Sequence, residues 1–290
     1  MFRKSVYITF VALCLHLAAG FVLAQDFEKS ARLAASSRVS IKNVAGDVLV
    51  QGYDGDTILV RAYKEGRDRD RLTIEDFSTD SALDIRVKYP QDCNCEATIR
   101  FEVNVPRATS YEYDAFSTVA GNIKIDGAMG TLHADNVSGL ILMRNIAGVM
   151  YASSFSGDVT IEQASETQTR SNGRWRRGWR RYLPYDQPVG SVLAKSISGN
   201  VKVSLNQLDR TNLNRMEFSS TSGNVEVKMP DTLGAMVDMS TTIGKLETDF
   251  PLTVVKSEFG LGGTARGRVG DGSRELKITS VAGNVALRKN

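Results

Sequence analysis

The sequence predicts an all-β protein: a single-domain β-solenoid of parallel β-helix type, built from short glycine-punctuated strands. Three observations predict it. Glycine recurs every nine residues at Gly121, Gly130, Gly139, Gly148 and Gly157. Apolar or small residues hold fixed places around each glycine. Asn, Asp, Gly and Ser collect where each unit has to turn.

The units read VAGNIKIDG, AMGTLHADN, VSGLILMRN, IAGVMYASS and FSGDVTIEQ across residues 119–163. A fixed short period marks a repeat architecture. Nine residues of α-helix make about 2.5 turns, so an apolar stripe would face the opposite way in each successive unit. A strand fits, because positions −2, 0, +2 and +4 about the glycine share one parity and point to one side. Position −2 holds Val119, Ala128, Val137, Ile146 and Phe155. Position +2 holds Ile123, Leu132, Ile141, Met150 and Val159, and +4 holds Ile125, Ala134, Met143, Ala152 and Ile161. All fifteen are expected inside. A nine-residue step changes parity and so demands a corner. Asp126-Gly127, Asp135-Asn136, Arg144-Asn145 and Ser153-Ser154 carry the turn chemistry for it.

The first 24 residues stand apart. Arg3 and Lys4 precede an apolar run from Val6 to Leu23, and Val22-Leu23-Ala24 ends in small residues. This reads as a secretory signal peptide over 1–24, with an uncleaved anchor as the alternative. Leu13 before Cys14 is a poor site for lipoprotein processing. No other stretch is long and apolar enough to span a bilayer, so the remaining chain, 25–290, is expected not to cross one. Export places it in the periplasm, at the cell surface or outside the cell. Removing Arg3 and Lys4 takes the formal charge from +3 to +1, so any electrostatic role must be local.

Along the exported part, Phe27 and Leu33 can anchor a first strand or short helix that caps the solenoid. SRVSIKNVAGDVLV repeats the unit around Gly46. Alternation at Leu83, Ile85 and Val87, and at Ile99, Phe101, Val103 and Val105, predicts longer strands with one buried face, each ending at a proline. An interruption, 164–190, follows the five central units. The pattern then resumes at Gly199, Gly223 and Gly244, a glycine-rich turn spans Gly260–Gly272, and a last unit surrounds Gly283.

A recurring serine, glycine, Asn/Asp and hydrophobic-x-hydrophobic unit appears at Ser117–Ile123, Ser196–Val201, Ser220–Val225 and Ser280–Val285. With IRFEVNVP and the glycine-rich turn, it resembles the bacterial "putative adhesin" family of β-strand-repeat proteins, a domain of unknown function. The likeness covers roughly residues 38–290. It implies a secreted or envelope-located β-helix-like solenoid and brings no catalytic residues.

Function classes narrow accordingly. Glycosidic hydrolysis needs two opposed carboxylates. Asp126, Asp135, Asp158 and Glu162 sit at corners or outward positions, and no pair stands out. A Ser-His-Asp triad would have to use His133, the one histidine after residue 24. The expectation is therefore a non-catalytic, adhesin-like binding or scaffolding module. The alternative is a carbohydrate-active β-helix enzyme, a polysaccharide lyase or hydrolase. Cofactor and metal are not expected: Cys93 and Cys95 can pair with each other or stay as thiols, but a metal would need further ligands. The interruption carries Arg174, Trp175, Arg176, Arg177, Trp179, Arg180 and Arg181. Arginine forks grip phosphate and carboxylate, and tryptophan stacks on sugars or lies at lipid interfaces. The expected partner is an envelope polyanion, a polysaccharide or an anionic lipid surface, and not nucleic acid. Leu140, Leu142, Val149 and Tyr151 are apolar at outward positions, so they are expected to be covered by this chain or to mediate self-association.

Overall fold

The computed structural model describes residues 25–163, 189–208, 215–257 and 260–290. The predicted leader, and the interruption up to residue 188, lie outside them. Among the described residues the chain is all-β, with one sheet of 11 strands and a second of 12.

The N-terminal part supplies β1 (Phe27–Ala31), β2 (Arg38–Lys42), β3 (Val48–Tyr53), β4 (Ile58–Gly66), β5 (Thr73–Asp76), β6 (Ala82–Lys88) and β7 (Ala97–Pro106). The alternation in β7 works as its sequence requires: Ile99, Phe101, Val103 and Val105 are buried. β7 runs parallel to β3 and antiparallel to β4, and β1 closes the first sheet against β4. β5 closes the second sheet against β6. Phe27 thus sits on a capping strand, as expected.

The glycine-punctuated region supplies β8 (Ser110–Ala120), β9 (Ile123–Asp126), β10 (Met129–Ser138), β11 (Ile141–Arg144), β12 (Ala147–Ser156), β13 (Val159–Glu162), β14 (Val189–Ser196), β15 (Val201–Ser204), β16 (Arg215–Ser220) and β17 (Val225–Met229). Odd-numbered strands from β9 on join the first sheet, even-numbered ones the second, and neighbours in each are parallel. Ile141 pairs with Ile123 on one side and Val159 on the other, and Met129 pairs with Ala147. Each nine-residue unit therefore stacks on the unit after next. One rung is 18 residues, a strand in each sheet.

The C-terminal part supplies β18 (Ala235–Ile243), β19 (Leu246–Thr248), β20 (Val254–Lys256), β21 (Gly263–Val269), β22 (Arg274–Ala282) and β23 (Val285–Lys289). The rungs leave chain order here. β22 lies between β16 and β18, and β23 between β17 and β19, so the last unit is inserted beneath the one before it. β21 turns back antiparallel on β18, with β20 beyond it. The stretch from Gly260 to Gly272 is thus not one glycine-rich turn; most of it is an edge-region strand.

Side chains from the two sheets meet in one core. Ile123, Ile141 and Val159 from the first sheet are 0 % exposed and face Leu132 and Met150 from the second. Twelve of the fifteen expected inner positions are buried, but Val119, Val137 and Phe155 are exposed, at 49 %, 47 % and 56 %. The reason lies in where the chain turns. β10 and β12 continue through Asp135-Asn136 and Ser153-Ser154, which are strand, not corner. The turn out of the second sheet falls instead at the glycines Gly121, Gly139 and Gly157. Residues two before those glycines are off the inward parity and point outward. The return corners at Asp126-Gly127 and Arg144-Asn145 are as expected; Gly127 and Asn145 have φ of 73° and 53°.

Candidate functional surfaces

The corner leaving the second sheet is built from three aligned rows. Three residues before each corner glycine stands a polar side chain pointing inward: Asn43, Thr118, Asn136, Ser154, Ser196, Ser220, Thr241 and Ser280, all buried. Most of them donate to a glycine carbonyl. Asn136 Nδ2 reaches Gly139 O at 2.8 Å, Ser196 Oγ reaches Gly157 O at 2.8 Å, and Ser220 Oγ reaches Gly199 O at 2.7 Å. A buried carbonyl without a donor is costly, so the row satisfies the turn of its own rung at Asn136 and that of the neighbouring rung at Ser196 and Ser220.

The residue after the glycine forms the second row. Asn200 N donates to Asp158 Oδ1 at 2.7 Å, Asn224 N to Asn200 Oδ1 at 3.0 Å, Asn284 N to Asn224 Oδ1 at 2.8 Å, and Lys245 N to Asn284 Oδ1 at 2.8 Å. This row explains the recurring Gly-Asn and Gly-Asp of the sequence. The residue two before the glycine forms the third row, outward-facing and mostly aliphatic.

The outer face of the first sheet carries a groove of about 720 Å³ lined by Asp126, Arg144, Glu162, Lys202 and Lys228, among others. Asp126 and Glu162 flank Arg144 in register. Parallel strands lie about 4.8 Å apart, so their backbones are roughly 10 Å apart. Arg144 Nε sits 3.0 Å from Glu162 Oε2, and Asn145 Nδ2 donates to Asp126 Oδ1 at 2.8 Å. On the opposite face, His133 stacks on Tyr151 with ring centroids 4.4 Å apart.

The arginines and tryptophans at Arg174, Trp175, Arg176, Arg177, Trp179, Arg180 and Arg181 lie outside the described residues. Cys93 and Cys95 come together in the loop before β7, with Cα atoms 4.9 Å apart. Leu140, Leu142, Val149 and Tyr151 do not form one patch. Leu142 is on the first sheet, Val149 and Tyr151 are on the second, and Leu140 is at the corner between them; all four are half-buried. Nine-residue units alternate between sheets, so adjacent units cannot share an outer face. The residues that sequence reasoning missed are the inward polar row and the exposed aliphatic row. Their signal was present as a polar residue three before each corner glycine and, at most corners, an aliphatic one two before it.

No family model matches the chain, and no curated protein does either. Among solved structures it is similar to a "putative cell adhesion protein" from Clostridium sporogenes, 9 % identical over 91 % of this chain and 99 % of that one, TM-score 0.35. It is also similar to a "putative adhesin" from Bacteroides fragilis, 11 % identical over 90 % and 96 %, TM-score 0.36. A "putative lipid binding protein" from Parabacteroides distasonis is 10 % identical over 91 % and 96 %, TM-score 0.36. No helix among the described residues is long and apolar enough to cross a membrane.

Proposed function

We propose that residues 25–290 form one exported β-solenoid domain after removal of a signal peptide at 1–24, and that it serves as a non-catalytic, adhesin-like binding or scaffolding module of the cell envelope. The observation that carries this reading is the register. In-phase parallel rungs, capped at both ends by antiparallel strands, make a stiff elongated body with long repeated surfaces. Specificity then resides in what interrupts the rungs. The Arg/Trp segment between β13 and β14 is the element suited to an envelope polyanion, since guanidinium forks bind phosphate and carboxylate bidentately.

Among the described residues, the groove holding Asp126 and Glu162 brings together two of the acids that the sequence offers to the enzyme alternative. A glycosidase acid must hold its proton near neutral pH, which apolar burial provides. Glu162 instead bonds the Arg144 guanidinium, and Arg144 stands between the two acids. This arrangement favours a structural ion pair over a proton donor.

The experiment is a pull-down of the exported chain, with and without residues 168–186, against envelope fractions and immobilised heparin. Replacing Arg174, Arg176, Arg177, Arg180 and Arg181 by Ser should lower heparin retention at low salt. Unchanged retention overturns the assignment to this segment.

A further inference from the structure

The third row of the corner is continuous. Val44, Val119, Val137, Phe155, Ile197 and Val281 are 37–56 % exposed, one per rung, with Thr221 and Thr242 filling the two remaining rungs. Register and backbone hydrogen bonds make them neighbours: Val119 N donates to Val44 O, Ser198 N to Phe155 O, and Ala282 N to Thr221 O. Eight rungs at about 4.8 Å give a line roughly 34 Å long. At its C-terminal end the line meets a groove of about 520 Å³ whose apolar lining is Ile243, Val255 and Leu261, which are 54 %, 60 % and 60 % exposed. Nine of the twelve most exposed large apolar side chains among the described residues thus lie on one edge of the molecule. Their exposed surface is on the order of 700 Å², above what a soluble monomer ordinarily leaves in one patch.

The charges beside this edge are of one kind in their pairing. Lys42 and Lys195 flank it on the second sheet, Lys124 and Lys202 on the first, with Lys245 and Lys256 at its end; all six are exposed. None has an ion-pair partner among the described residues, whereas arginines elsewhere, such as Arg61, Arg86 and Arg266, are paired. The acids in the same rows are Asp47, Asp135, Asp158, Glu226 and Glu247; Asp47 and Asp158 accept backbone N–H groups from the next rung, and Glu226 and Glu247 are paired with Lys228 and Arg288.

We propose that this edge is a lipid-contact ridge: it lies along an anionic membrane surface, with the aliphatic row at the headgroup–acyl boundary and the lysines reaching phosphates. The assignment rests on the envelope-module reading and supplies a site and partner class independent of the Arg/Trp segment. A second copy is the less suitable occupant. A symmetric pairing would bring the unpaired lysines of the two copies together along the seam, a like-charge contact that opposes association. A lipid surface accepts a narrow apolar line and rewards flanking cations.

The test is co-sedimentation of the exported chain with vesicles of phosphatidylcholine alone and of phosphatidylcholine with phosphatidylglycerol. The chain should bind the anionic vesicles, with binding weakened by salt. A Val137→Ser/Phe155→Ser/Ile197→Ser variant should bind them at least about tenfold more weakly while melting as the parent does, because these side chains are already exposed. Lys124→Gln/Lys195→Gln/Lys202→Gln should weaken binding and flatten its salt dependence. Heparin retention is measured in parallel: the ridge variant should keep it, so failure of the Arg/Trp reading is seen separately from failure of the ridge. Equal vesicle binding by parent and ridge variant, no vesicle binding by the parent, or a ridge-dependent dimer that binds no vesicle would each overturn the proposal.

Discussion

Gly157 lies directly against Gly139, its counterpart one rung away. A Cβ on Gly157 would stand 1.9 Å from the Gly139 carbonyl oxygen, and a Cβ on Gly139 would stand 2.2 Å from that of Gly121. The obstacle is backbone, which cannot swing aside as a side chain can. Gly157→Ala is therefore expected to cost about 2–4 kcal/mol, read as a lower urea midpoint. Gly260 serves as the control: its φ is +69° but none of the described residues lies within 4 Å of an added Cβ. Alanine there should cost only the left-handed backbone penalty, about 1–2 kcal/mol.

The polar row inside the same corner makes a second prediction. Ser220 Oγ is buried and donates to Gly199 O at 2.7 Å. Ser220→Ala leaves that carbonyl without its donor and should cost about 1–2 kcal/mol. Ser222, two residues on and exposed, makes no such bond among the described residues, and Ser222→Ala should stay within about 0.5 kcal/mol in the same denaturant series.

Tyr113 predicts the opposite sign. Its ring packs between Tyr111 and Phe116, with centroids 5.9 and 5.5 Å away. Its hydroxyl is buried with no partner among the described residues, and burial pushes the phenol far above its usual range. Tyr113→Phe removes an unsatisfied polar atom and keeps the ring. It should leave stability unchanged or raise it by up to about 1 kcal/mol. A clear loss would mean that the hydroxyl has a partner.

The capped N-terminal end should respond to acid. Lys29 Nζ on β1 lies 2.9 Å from Asp76 Oδ2 on β5, tying the last strand of one sheet to the last strand of the other. Burial pushes the Asp76 carboxyl up, but hydrogen bonds from Lys29 and Ser78 outweigh it and hold the group below its ordinary value. A depressed carboxylate contributes stability above its unfolded pKa, and that contribution is lost as pH falls through the folded pKa. The parent should exceed Asp76→Asn by no more than about 1 kcal/mol at neutral pH, because the pair is part-exposed. The gap should narrow as pH falls below the ordinary carboxylate range and close once the folded Asp76 takes up its proton.

Much of this architecture was legible in the sequence. A nine-residue period excludes helix and fixes parity, and Ile123, Leu132, Ile141, Met150 and Val159 are accordingly buried. The period alone could not say that successive units belong to different sheets, because either arrangement keeps the glycines nine apart. That ambiguity misplaced Val119, Val137 and Phe155, and it grouped Leu142 with Tyr151 although they face opposite ways. The corner at Ser153-Ser154 was misread because Ser154 is polar for another reason: it belongs to the inward row that elsewhere satisfies glycine carbonyls. The insertion of β22 and β23 beneath β18 and β19 had no local signal at all. Strand pairing over some 40 residues depends on closing the longer loop through β20 and β21, and neither glycine spacing nor hydropathy records it.

The central claim, a rung of two nine-residue units, is tested most directly by paired cysteines, one pair at two exposed corner positions and one with its second cysteine at the buried Ala147. Ser138 and Ser156 are register partners on adjacent parallel strands, whereas Ala147, nine residues from each, begins the strand that carries Ser156. A Ser138→Cys/Ser156→Cys variant, with Cys93 and Cys95 replaced by Ser, should form an intramolecular disulfide under mild oxidation. Ser138→Cys/Ala147→Cys should not. The reverse pattern, with residues nine apart cross-linking and residues 18 apart remaining free thiols, would contradict the account.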